Sequence, residues 1–247
     1  MLKLLRFLQE DGIKVNSVEE MLKIENIGLS CNNLTTLPPE IGKLSNLKEL
    51  TLSDNNLRTI PPEIGNLINL EELNLYGNEL TILPPEIGKL TNLKKLDLGN
   101  NELLTLPSEI GNLSNLKSLD LFNNEIGTFP LEICNLSNLD HLGLSHNNLR
   151  TLPKEIGNLI NLEKLYLAGN NLTTLPLGID RLSKKLFPKY LHNSYDESVK
   201  FRKAVKIIER AWIQYDWVPN SEGIARCALR SFRELQESNP EIFFLII

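Results

Sequence analysis

The chain has 247 residues, 41% hydrophobic and 23% charged, and a formal net charge of −5. That charge divides unevenly: residues 1–184 hold 16 Lys+Arg against 23 Asp+Glu, and residues 185–247 hold 10 against 8. An acidic body excludes phosphate-dominated nucleic-acid binding, which needs a basic face to displace counterions, and the singly scattered Cys31, Cys134 and Cys227 write neither a disulfide framework nor a zinc or other metal site.

Residues 1–23 predict helices. Leu2, Leu4, Leu5 and Leu8 suit one amphipathic face, and Ser17-x-x-Glu20 matches a capping box opening a second helix toward Met21 and Leu22. Lys3 and Arg6 break the apolar run of residues 1–12, which is thus no signal-peptide core.

From Ile24 to Lys184 the chain repeats every 23 residues. Asn32, Asn55, Asn78, Asn101, Asn124, Asn147 and Asn170 mark the period, each followed two residues later by Leu34, Leu57, Leu80, Leu103, Ile126, Leu149 or Leu172. Within one copy, Leu47, Leu50 and Leu52 begin a strand with apolar residues at alternating positions, so parallel strands are expected near residues 49–53 and each equivalent. The Asn at the ninth position follows the strand, where its amide can satisfy backbone groups between neighbouring coils. Pro38, Pro61, Pro84, Pro107, Pro130, Pro153 and Pro176 then lead into a short helical segment. Glu40, Glu63, Glu86, Glu109, Glu132 and Glu155 fall in its first turn, where negative charge is favoured. Ile64 and Leu67 point inward to close the coil, Gly65 and its equivalents loosen the turn, and Cys134 and Asp180 replace that glycine in two copies.

The pattern Leu47-x-x-Leu50-x-Leu52-x-x-Asn55-x-Leu57-x-x-Ile60-Pro61-x-x-Ile64-x-x-Leu67 resembles the leucine-rich repeat in its framework positions. The resemblance implies an α/β solenoid: a right-handed superhelix with a parallel concave sheet, short helical convex segments and helical caps. Seven repeats then fill residues 24–184, with an N-terminal cap over 1–23. Extracellular members usually carry disulfide clusters at their ends, and none is written here, so the expected location is the cytoplasm.

Residues 185–247 form a C-terminal helical cap in this reading. Val199, Ala204, Ile207, Ile208, Ala211, Trp212 and Tyr215 recur at helical spacing, Pro219 breaks the chain, and Ile224, Ala228, Leu229, Phe232 and Leu235 outline a second helix. The apolar residues 242–247 fall far short of the roughly 20 residues that a membrane span requires.

Function is sought on the sheet positions that face away from the core. The third position reads Asn26, Glu49, Glu72, Lys95, Ser118, His141 and Lys164; the fifth, Gly28, Thr51, Asn74, Asp97, Asp120, Gly143 and Tyr166; the seventh, Ser30, Ser53, Tyr76, Gly99, Phe122, Ser145 and Ala168. The eighth adds Cys31, Asp54, Gly77, Asn100, Asn123, His146 and Gly169. This face is irregular where all else repeats. Tyr76, Phe122 and Tyr166, two repeats apart and so roughly 10 Å from one another, predict a row of exposed interface anchors. Glu49, Glu72, Asp54, Asp97 and Asp120 make the first part acidic, while Lys95, His141, His146 and Lys164 make the later part mixed. The expected partner is a protein with a basic, partly apolar face. No phosphate loop, metal-binding His-Glu motif or nucleophile elbow occurs, and nothing implies a cofactor or an enzyme. Asp97 and Asp120 form a carboxylate pair on an open sheet without the cleft that would separate their pKa values.

The wording Leu-Pro-x-Glu-Ile-Gly-x-Leu-x-Asn-Leu also resembles the intracellular Ras-group leucine-rich-repeat proteins, which implies a small GTPase, phosphatase or signalling scaffold as partner. Residues 207–235 look like helical tails of large DNA virus proteins, implying a host-cell cytoplasm. An alternative is an effector-type ubiquitin ligase with Cys227 as nucleophile, in a tail of only 63 residues without an acidic catalytic motif.

Overall fold

The computed structural model describes residues 2–10 and 12–172, together with Pro176 and Leu182. The helices expected over 185–247, with Trp212 and Cys227, and the variant glycine position at Asp180 lie outside the described residues.

Seven three-residue strands form one parallel sheet in chain order: β1 (Asn26–Gly28), β2 (Glu49–Thr51), β3 (Glu72–Asn74), β4 (Lys95–Asp97), β5 (Ser118–Asp120), β6 (His141–Gly143) and β7 (Lys164–Tyr166). The register is one repeat per strand without a slip, as in Leu50 opposite Leu73 and Leu96 opposite Leu119. A slip by one residue would turn each central leucine to solvent, so the buried leucine column holds the register. Leu47, Leu50, Leu52 and Leu57 are fully buried, and their equivalents continue one hydrophobic core along the array.

The return segments are 3-10 helices, Pro39–Lys43, Pro62–Asn66, Pro85–Lys89, Ser108–Asn112, Leu131–Asn135 and Lys154–Asn158. Each follows an extended proline, such as Pro61 at φ −68° and ψ 145°, and has its glutamate in the first turn. Five residues in this tighter winding bring Ile64 into the core and let Leu67 close the coil.

The glycine in this helix is there for contact rather than for looseness, which corrects the sequence expectation. A β-carbon at Gly65 would stand 2.5 Å from the backbone oxygen of Glu86 in the next coil. Neighbouring helices therefore touch backbone to backbone. Cys134 fills the equivalent slot, and burial, aided by Glu155 and Glu132, pushes its thiol up to about 11. The thiolate is the reactive form, so Cys134 is a packing residue and not a nucleophile.

Two asparagine columns bind coil to coil. In the buried one, Asn101 donates from Nδ2 to the carbonyls of Leu75 and Leu98 at 3.0 Å, while its Oδ1 accepts from the Leu80 N–H at 3.1 Å. Asn55, Asn78, Asn124, Asn147 and Asn170 repeat this bonding. The second column, Asn46, Asn69, Asn92, Asn115, Asn138 and Asn161, is near or at the surface, each amide donating to a carbonyl 24 residues back at 2.7–2.8 Å. Sequence reasoning missed it, although its 23-residue spacing is as regular as that of the first.

At the N-terminus, α1 (Leu2–Glu10) buries Leu4, Leu5 and Leu8, but Leu2 is 69% exposed and stands off the apolar stripe. In α2 (Val18–Met21), Ser17 Oγ accepts from the Glu20 N–H at 3.1 Å. Glu20 reaches back to the Asn16 N–H at 2.8 Å, one residue before the position a capping box would use. Met21 and Val15 join the core, so these residues cover its first coil.

Candidate protein-binding face

The strands carry the third and fifth positions in straight columns across the sheet, since Glu72, Lys95 and Ser118 pair in register, as do Asn74, Asp97 and Asp120. On the third column, Lys95 Nζ meets Glu72 Oε1 at 2.7 Å, and this partner raises the lysine pKa. Glu49, ahead of the pair, and Lys164, at the far end, are both exposed.

The fifth column is bound to its own chain. Asn74 Oδ1 accepts from the Tyr76 N–H at 2.9 Å, Asp97 Oδ1 from the Gly99 N–H at 3.0 Å, and Asp120 Oδ1 from the Phe122 N–H at 2.8 Å. Each side chain thus satisfies a backbone donor two residues on, lying between N–H groups that bond to the next coil. Burial pushes the Asp97 carboxyl above the usual carboxylate range; the Gly99 N–H partly opposes this, and the charge of Asp120 adds to it. The sheet is therefore less open here than the sequence suggested.

The eighth position is not free to vary, contrary to expectation. Cys31, Asp54, Gly77, Asn100, Asn123, His146 and Gly169 all have φ between 51° and 67°. In this left-handed region the β-carbon crowds the backbone, which favours Gly, Asn and Asp and accounts for most of the column. His146 shares that tolerance, and Cys31 adopts the same conformation without it.

The three aromatics do not make one row. Tyr76 is half-buried: its ring lies on Gly99, where a β-carbon would stand 3.0 Å from Cδ2, and its hydroxyl accepts from Asn100 Nδ2 at 2.5 Å. Phe122 is 37% exposed and meets His146 edge to face with centroids 5.2 Å apart. Tyr166, 46% exposed, issues from the fifth column rather than the seventh and tilts against His141, also at 5.2 Å. Burial, and then Lys164, lower the His141 pKa, with Asp120 and Asp140 opposing. Gly143, Ser145 and Ala168 lie among these rings as small residues. The Asp120 carboxylate leans over Gly143, where a β-carbon would stand 2.5 Å from Oδ1.

Large side chains therefore lean onto small ones in the following repeat, Tyr76 onto Gly99, Asp120 onto Gly143 and His146 onto Gly169. Part of the irregularity of this face is packing between repeats. What remains outward is Glu49, Lys164 and the rings of Phe122 and Tyr166, with Asp97 and Asp120 half-buried between them. Among the described residues, no group of three or more His, Cys, Asp or Glu could hold a metal ion. No helix among them is long and apolar enough to cross a membrane.

Comparison with known proteins accords with this architecture. A model described as "Leucine-rich repeat region" matches residues 1–102, "Leucine Rich repeats (2 copies)" matches 91–133, and "Leucine Rich Repeat" matches 138–159 and 161–182. No curated protein matches. Among solved structures, a leucine-rich-repeat protein of Leptospira interrogans is 36% identical, with a TM-score of 0.52, over 68% of this chain and 56% of that one. The ectodomain of the plant membrane receptor kinase GASSHO1/SCHENGEN3 of Arabidopsis thaliana, in complex with Casparian strip integrity factor 2, is 34% identical, with a TM-score of 0.56, over 62% and 19%. The PEPR1–AtPEP1 complex gives 33% and 0.57 over 65% and 23%. The chain thus spans about half the length of the first of these and about a fifth of the other two. By repeat sequence, strand order and likeness to solved structures, the chain is a leucine-rich-repeat solenoid.

Proposed function

We propose that this protein is a non-catalytic interaction module that captures a partner protein on the open face of its sheet. The observation that carries the reading is the outward placement of Phe122 and Tyr166 on a rigid parallel sheet, beside polar side chains, since exposed rings bury much area at small entropic cost. The plant receptor kinase ectodomain is in complex with Casparian strip integrity factor 2, and PEPR1 is found with AtPEP1, which supports a protein ligand here as well. A cytoplasmic small GTPase or signalling scaffold is the first partner class to test, because of the Ras-group wording of the repeats. The ligase alternative rests on Cys227, outside the described residues, and no observation favours it.

The test places a photo-crosslinking amino acid at Phe122, and separately at Leu104, which is exposed at a position outside the strand columns. A partner adduct is expected from the first site and not the second. Phe122→Ala with Tyr166→Ala should weaken capture by about 2 kcal/mol for each true anchor, with circular dichroism unchanged. Adducts formed equally at Leu104, or undiminished capture, would move the interface off the sheet.

A further inference from the structure

Resting on the reading above, the chemistry of the partner can be narrowed. Asp97 and Asp120 are directly opposed on adjacent parallel strands, which stand about 4.8 Å apart. Among the described residues neither carboxylate is in an ion pair; Lys95, the cation on the same strand as Asp97, is drawn aside onto Glu72. His141, the next group facing Asp120, has its pKa lowered by burial and by Lys164, which disfavours the charge that could neutralise the pair.

Aromatic rings flank these carboxylates. The Tyr76 ring lies on Gly99 in the repeat of Asp97, and Phe122 stands two residues beyond Asp120 and is braced by His146. No further carboxylate, His or Cys joins the pair in a metal-holding group among the described residues. Carboxylates beside aromatic rings, as Asp97 Oδ1 and the Tyr76 ring are over Gly99, suit an organic cation with an apolar stem, which gains from both the charge and the π-systems. Beyond them, the small Ser145 and Ala168 follow in the repeats that carry the His141–Tyr166 pair, while the space over Gly143 is taken by the Asp120 carboxylate.

We propose that the sheet face over β4–β7 receives an extended segment of a partner protein. It sets an arginine or lysine side chain over Asp97 and Asp120, between Tyr76 and Phe122, and an apolar side chain between Phe122 and Tyr166. The side-chain columns run across the strands, so a segment crossing the strands from β4 to β7 meets the acidic part before the ring pairs. Charge complementarity selects a basic segment, and the ring pairs set where its apolar residue falls.

The test is selection of a displayed random dodecapeptide library on the full-length protein, with the Asp97→Asn/Asp120→Asn variant and the Phe122→Ala/Tyr166→Ala variant as counter-targets. Asparagine keeps the local backbone bond, as Asn74 does in the preceding repeat, and circular dichroism with a thermal midpoint verifies each fold. Enriched peptides are expected to carry Arg or Lys next to an apolar residue. Synthetic copies should bind the Asn variant about tenfold more weakly and lose affinity as salt rises. Neutral or acidic peptides that depend on Phe122 and Tyr166 would overturn this inference and leave the protein-binding face standing. Peptides indifferent to both variants would overturn both readings, and a library without enrichment would overturn this one.

Discussion

The two asparagine columns use one side chain, one period and one kind of bond, yet they sit in different surroundings. Asn101 is buried and has three donor contacts, to Leu75, Leu98 and Gly99, and one acceptor contact, from Leu80. Asn92 stands at the surface and donates once, to Ile68. Water can replace the second bond and cannot reach the first. The cost of an unmade hydrogen bond is mainly the desolvation of the groups left behind, so the columns should differ in energy far more than in geometry.

The sharpest measure of that difference is Asn101→Ala. It strands buried carbonyls and an N–H, and chemical denaturation should show a loss of roughly 1–3 kcal/mol. An unchanged midpoint would mean that the buried column is not a structural ladder. Asn92→Ala should cost about 0.5 kcal/mol, at the low end for a net hydrogen bond, because solvent takes over the freed carbonyl. Equal losses at the two positions would break the comparison and make burial irrelevant to it.

A third substitution reverses the sign. Asp97 occupies a site where Asn74, one repeat earlier, makes the same backbone bond without a charge. Its folded-state pKa lies above the ordinary aspartate value, so the folded protein holds that proton more tightly than the unfolded chain. Stability then falls as pH rises from the ordinary aspartate range through the folded pKa, and the cost persists at neutral pH. Asp97→Asn should therefore raise the thermal stability there by about 0.5 kcal/mol or less, with solvent screening keeping the gain small. The gain should fade in acid, below the ordinary aspartate range. A lower midpoint at neutral pH would show that the carboxylate is stabilising where it stands.

How much of this was readable in the sequence depends on whether a position meets the same neighbours in every copy. Leu50, Ile64, Asn101 and Pro61 do, because stacking identical coils imposes one environment every 23 residues, and the parallel strands, the return helices and the buried ladder followed from spacing alone. The surface ladder of Asn46 and its equivalents had the same signal and was passed over. The eighth column carried a weaker clue, its excess of Asn, Asp and Gly, but was read as variable because its left-handed turn is a backbone property.

The repeat sequence by itself thus determined the solenoid, its register and its core, since those arise from one-dimensional periodicity and the burial of a recurrent apolar set. Tertiary structure decided the face. Tyr76 is turned inward onto Gly99, Tyr166 is set against His141, and Asp120 is folded over Gly143. Each of these outcomes depends on which residue the adjacent coil presents 23 or 25 positions away, and on which way the side chain leans to reach it. Column membership does not encode that lean; it is settled only when neighbouring side chains compete for the same space above the sheet.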